Sequence, residues 1–228
     1  MSRHLLPGDP PVEVILRRSA RARRISLRVS SIDGKVTLTF PPGVREAEAL
    51  GFAEEKAGWL RGHLAKRPDE VAVKIGTGLP IRGEMVQIVA GVGRRVRLGE
   101  GEITVPGNPE RAGARLQGFL KEMARVRLVA ASDRYAAALQ KRYSRITLRD
   151  TRSRWGSCSS HGGLMFSWRL IMAPDAVLDY VAAHEVAHLV EMNHSARFWG
   201  HVEQLYGDHK TPKRWLKDKG VGLHRYRF

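Results

Sequence analysis

Four residues in the stretch HEVAHLVEMNH could do chemistry together: His184, Glu185, His188 and His194. The flanking segments VLDYVAA and SARFWGHVEQL both have helical character, and on a helix residues four apart lie on one face. His184 and His188 therefore point the same way, at a separation that lets two imidazole nitrogens hold one zinc ion. Glu185 lies about 100° round the helix from His184, where a carboxylate reaches a metal-bound water without being a ligand. The chemistry such a set would support is metal-assisted hydrolysis: a bound Zn2+ would supply a Lewis acid for water and a peptide carbonyl, with Glu185 expected to take the proton as general base and return it to the leaving amine.

His194 is a third metal ligand only if the helix breaks before it. A straight helix would carry it ~15 Å along the axis from His184, far beyond a ~2.1 Å zinc–nitrogen bond. The break is expected at Glu191-Met192-Asn193, with Asn193 best suited to a left-handed turn, and Ser195 is placed to N-cap the next helix. A competing third ligand is Glu203 on that helix. The ligand spacing equals that of metzincins, HExxHxxGxxH, but Glu191 replaces the glycine and no methionine follows His194, so a Met-turn is excluded.

The elements that must position these residues can be read outward from them. The motif helix is expected to start near Pro174-Asp175, where proline and an acid suit a first turn. Further helices are expected over 195–206 and about 211–219. Residues 145–171 read as strands RITLRD and LMFSWRLI joined by TRSRWGSCSSHGG, with LMFSW at the sheet edge over the cleft, where an extended peptide can add. Asn108-Pro109-Glu110 opens a long helix running to about Tyr143, its apolar faces including Leu116, Leu120, Val126, Leu128 and Tyr135. Before it, VAVKIG, MVQIVA, RRVRL and EITV are short strands, and residues 45–66 form a helix ended by Arg67-Pro68. VEVILRR, RRISLRV and KVTLTF are strands, the last two joined by an Asp33-Gly34 hairpin turn. The class is α+β: a strand-rich N-terminal domain with one helix over 1–107, then a minimal zincin-like domain of long helix, small sheet and HExxH helix over 108–228. No internal repeat is visible.

Composition narrows the setting. No apolar run in the 228 residues approaches the ~20 needed to span a bilayer. The N-terminus lacks a signal-peptide core, and the single cysteine, Cys158, excludes an internal disulfide framework. These features favour a cytoplasmic protein with no membrane partner. The net charge of +16 attracts polyanions, so the basic surface offers a route to nucleic acid.

The string RSRWGSCSSHGGLMFSWRLIMAPDAVLDYVAAHEVAHLVEMNHSARFW closely resembles the YgjP-like metallopeptidase family, which is related to the SprT and WLM zinc metalloproteases. The pieces that carry the likeness are Arg154-Trp155-Gly156-Ser157-Cys158, Asp179-Tyr180-Val181, the HExxH of His184 to His188, and Asn193-His194-Ser195 with Phe198-Trp199. Trp59 and Trp215-Leu216-Lys217 extend it over almost the whole chain. The resemblance implies a zinc-dependent hydrolase of peptides or proteins, with His184, His188 and His194 as ligands and Glu185 as catalytic acid/base. The alternative is a nucleic-acid-associated zinc protein, or a protease acting on DNA-bound proteins. For an oxyanion stabiliser Arg152, Arg154, Tyr180, His201 and Tyr206 are all candidates, and Asp179 is a candidate to support a ligand.

Overall fold

The computed structural model describes residues 2–30, 32–65 and 69–228. The chain divides into two compact units, 1–69 and 70–228. In the first, β1 (Ser2–Leu6), β2 (Val12–Arg18), β3 (Ser26–Val29) and β4 (Val36–Phe40) form a sheet ordered β1-β2-β4-β3. The inner pair is parallel and the outer pairs antiparallel. Alternation sets one face: Val12, Val14 and Leu16 on β2 and Val36, Leu38 and Phe40 on β4 are buried. The expected single helix breaks at Lys56 into α1 (Glu46–Glu55) and α2 (Ala57–Ala65), and Ala49, Ala53 and Leu60 join the sheet's core. The expected stop at Arg67-Pro68 lies outside the described residues. The Asp33-Gly34 turn forms, with Gly34 at a φ of 67° that suits glycine.

The second unit opens with β5 (Val71–Ala72), followed by β6 (Gly78–Ile81), β7 (Glu84–Gly91), β8 (Arg97–Leu98) and β9 (Glu102–Pro106). The last four form a sheet ordered β6-β7-β9-β8, again with a parallel inner pair and antiparallel outer pairs. The first unit's topology is thus repeated, with no trace of the repeat in the sequence. Leu79, Ile81, Ile88, Ile103 and Val105 of this sheet share one core with the long helix that follows. The sequence-based boundary at 107/108 therefore falls inside this unit, between two elements that bury the same apolar surface.

That long helix, α3 (Ala112–Ala138), is entered through a 3-10 turn at Pro109–Arg111, where the Asn108 side chain accepts the Glu110 N–H at 2.9 Å. Leu116, Leu120, Ala124, Leu128, Ala131 and Tyr135 form its buried stripe at helical spacing, while Val126 is exposed. The helix stops short of Tyr143, and Gln140 takes a left-handed φ of 52°. Next come β10 (Arg145–Arg149), β11 (Gly156–Cys158) and β12 (Gly163–Ser167), in the order β10-β12-β11. LMFSW is therefore the central strand, not the edge: the backbone of β12 pairs with β10 on one side and β11 on the other, while its Leu164 and Phe166 side chains are buried in the core. The edge strand that packs on the motif helix is β11. The apolar string after it is not strand: Trp168–Met172 is a fully buried 3-10 turn. The remaining elements are α4 (Asp175–Ala187), α5 (Ala196–Tyr206), α6 (Lys210–Asp218) and β13 (Tyr226–Arg227), which pairs in parallel with β5. Among the described residues no helix is long and apolar enough to cross a membrane.

Candidate metal centre

Helix α4 is buried nearly all round, from Val177 to Ala187, which is why its sequence shows an apolar run rather than a sharp stripe. It ends at Ala187, about one turn before the expected break, and His188 is its C-cap. The Nδ1–H of His188 donates to the Glu191 carbonyl at 2.9 Å, which leaves Nε2 as the free lone pair. Glu191 itself pairs with Arg197 at 3.0 Å. Asn193 does not turn the chain through left-handed backbone; among the described non-glycine residues only Arg82 and Gln140 have positive φ. It acts through its side chain instead, Oδ1 accepting the Ser195 N–H at 2.8 Å. Ser195 then caps α5 as expected, Oγ accepting from the Phe198 N–H at 3.3 Å.

The turn brings His194 back over α4. One ligand atom from each of His184, His188 and His194 lies within 4.8 Å of the others. The ε nitrogens of His184 and His194 are 3.1 Å apart, close to the ~3.4 Å that two nitrogens bound tetrahedrally at ~2.1 Å would show. Burial, helped by the neighbouring imidazoles, pushes His184 down to about 3, and burial also lowers His188. Both are thus held neutral, the form that donates to a metal. The buried Phe198 ring packs against all three imidazoles, with centroids 4.9, 4.4 and 4.7 Å from His184, His188 and His194. Glu203 is exposed on α5 and is not in the cluster. The donor set, the distances and the protonation state all fit a divalent cation.

Glu185, 6% exposed, lies behind β11. Burial pushes its carboxyl up to about 8, with the Arg154 charge opposing that rise. A groove of about 410 Å³ opens onto the three histidines and Glu185, walled by Arg154, Ser157, Cys158 and Met192. Burial, then the Glu185 charge, pushes the Cys158 thiol up to about 11, so it is a neutral wall residue. The five candidate oxyanion stabilisers separate. Arg154 lines the groove. Tyr180 stands edge-on to His184 at 6.0 Å, while the Tyr206 hydroxyl is engaged by the Ala176 carbonyl at 2.9 Å. Arg152 and His201 are not among the residues lining the groove. Asp179 pairs with Arg134 of α3 at 3.5 Å rather than supporting a histidine. Sequence reasoning passed over His209, whose ring is sandwiched between Trp199 at 5.0 Å and Tyr180 at 5.8 Å. Its only sequence signal is its place six residues before Trp215, too far from HExxH to register.

The family model for the YgjP-like metallopeptidase domain matches residues 23–219. The chain belongs to the YgjP-like metallopeptidase family. The match takes in the three-histidine cluster, β11 and most of both compact units. No curated protein and no solved structure matches the chain. YgjP-like membership makes this a metallopeptidase-type hydrolase with a divalent metal and protein or peptide substrates.

Proposed function

We propose that the chain is a zinc-dependent peptidase in which His184, His188 and His194 hold the metal and Glu185 is the general base. The observation that carries this reading is the convergence of the three imidazoles beside a buried carboxylate. A zinc ion bound there supplies a Lewis acid that brings water ionisation into the neutral range and polarises a carbonyl. Glu185, whose burial makes it more basic than an ordinary carboxylate, would accept the water proton and deliver it to the departing amine. Arg154, on the same groove wall, meets the negative charge that develops on the carbonyl oxygen. The outer strand β11 offers a backbone edge to an extended substrate.

The test is metal content per chain together with cleavage of an unstructured protein, for the wild type, His194→Ala and Glu185→Gln. About one zinc is expected in the wild type, with marked loss in His194→Ala. Glu185→Gln should keep zinc and lose turnover. Unchanged zinc in the first variant, or unchanged turnover in the second, would sink the assignment. The runner-up is a protease confined to DNA-bound proteins, supported by the +16 charge; it requires DNA retention that falls steeply with salt and cleavage that depends on DNA.

A further inference from the structure

The outward face of the β10-β12-β11 sheet carries a second groove. On β10, Ile146 and Leu148 pack on the core while Arg145, Thr147 and Arg149 alternate to the other face. Register places Thr147 beside Met165 and Met165 beside Ser157. The resulting groove, about 540 Å³, has these residues and Arg154 in its walls and no carboxylate among its lining side chains. Arg82, Arg127, Arg134 and Arg197 of the same unit are each paired with an acid. Among the described residues Arg145 and Arg149 have no such partner, so two exposed guanidinium groups face the groove uncompensated. Ser153, Arg154, Ser157 and Cys158 line both this groove and the one over the histidines, so the two are continuous.

We infer that this groove is a subsite for acidic side chains of the peptide substrate, with Arg145 and Arg149 as its specificity-determining residues. The inference rests on the peptidase reading for the identity of the chain that enters. Guanidinium forks meet carboxylates bidentately, and a site with no internal acid reserves them for a ligand. Arg145 and Arg149 stand ~13 Å apart along the strand, two repeats of the ~6.6 Å at which same-face side chains of an extended peptide recur. A segment bearing Asp or Glu at intervals can engage both while the hydroxyls of Thr147 and Ser157 meet its backbone. The groove has no aromatic side chain among its lining residues, and so no platform on which bases would stack. This favours peptide over single-stranded nucleic acid.

The test measures binding by fluorescence anisotropy on zinc-loaded Glu185→Gln protein, so that no turnover is needed. The probes are a labelled Glu-rich peptide, its Gln counterpart and a labelled single-stranded oligonucleotide. The Glu-rich peptide should bind more tightly than the Gln peptide. Adding Arg145→Glu with Arg149→Glu should weaken it about tenfold, the loss of roughly one charge-assisted hydrogen bond. Adding Arg94→Glu with Arg95→Glu, which changes net charge equally on the exposed β7–β8 connection, should leave it nearly unchanged. Zinc content and melting temperature establish that each variant is folded. Equal weakening by both pairs would overturn the subsite in favour of a general field, and no weakening by either would remove it. Loss of oligonucleotide binding without loss of peptide binding would make the groove a nucleic-acid track. If the groove behaves as expected but the wild type cleaves neither peptide nor protein, the peptidase reading fails and the acidic subsite stands.

Discussion

A Cβ on Gly156 would stand 2.5 Å from both Cγ and Oε1 of Glu185. The bare backbone of the outer strand is the space in which the carboxylate lies, so the sheet edge and the Glu185 side chain are fitted to each other. Gly156→Ala should displace Glu185 while leaving the three imidazoles in place. Turnover should fall about 100-fold, the usual cost of moving a reacting group by ~1 Å, with zinc per chain unchanged. Parallel loss of zinc and turnover would show that Gly156 shapes the whole centre instead.

If His194 is a ligand as proposed, Ser195 couples helix capping to metal binding, because the two residues are adjacent. Ser195→Ala removes the acceptor for the Phe198 N–H and should cost about 1 kcal/mol of stability. His194 loses its anchor at the same time. Competition with a chelator should therefore show weaker zinc binding than in the wild type; unchanged zinc affinity with lowered stability would confine the serine to a structural role.

Arg169, 5% exposed, holds Asp150 at 2.6 Å and donates to the carbonyls of Leu223 and Tyr226 at 2.8 and 3.1 Å. Arg169→Met leaves two carbonyls and a carboxylate without their donor. The expected loss is about 3 kcal/mol, summed from buried groups left unsatisfied, and is read as a lowered denaturant midpoint with unchanged slope. A loss under ~1 kcal/mol would mean water replaces the guanidinium.

His224 gives the fold an acid-labile point. Burial first, then the Arg169 charge, holds its imidazole down to about 4, against an ordinary value of 6.5. Between those values the unfolded chain binds a proton that the folded chain refuses, so stability falls as pH drops through this window. Asp150 extends the trend: burial would raise its carboxyl, but the Arg169 hydrogen bond and charge outweigh that and lower it, so its contribution disappears at still lower pH. His224→Asn should flatten the melting-temperature slope between pH 6.5 and about 4. Both proteins are compared after metal removal, so that His184 and His188 contribute equally. An unaltered slope would place the lability elsewhere.

The candidate centre was legible because its signals are local. Two histidines four apart on a helix, a forced break and a serine cap are all encoded within a dozen residues. What escaped the sequence depends on contacts between distant segments. LMFSW reads as an edge strand, yet β10 and β11 flank it, and only the three-dimensional pairing reveals this. Nothing local marks Arg169 within LMFSWRLI as a core residue; carbonyls more than fifty residues away draw it into the core. No pattern in a single strand records which helix covers it, so the shared core of α3 and the strands before it is invisible in the sequence. Residue type suggests a backbone role for Asn193, whereas its side chain makes the turn.

The parallel pairing of β13 with β5 places Val71 beside Tyr226, and Arg227 closes the same seam by its ion pair with Glu70. Gly113 of α3 lies under it, where a Cβ would come 2.7 Å from the Val73 carbonyl oxygen. The first and last strands of the 70–228 unit are therefore neighbours. His184, His188, His194 and Glu185 thus lie in a unit whose first and last strands are fastened side by side, so that loosening either strand would unfasten the other.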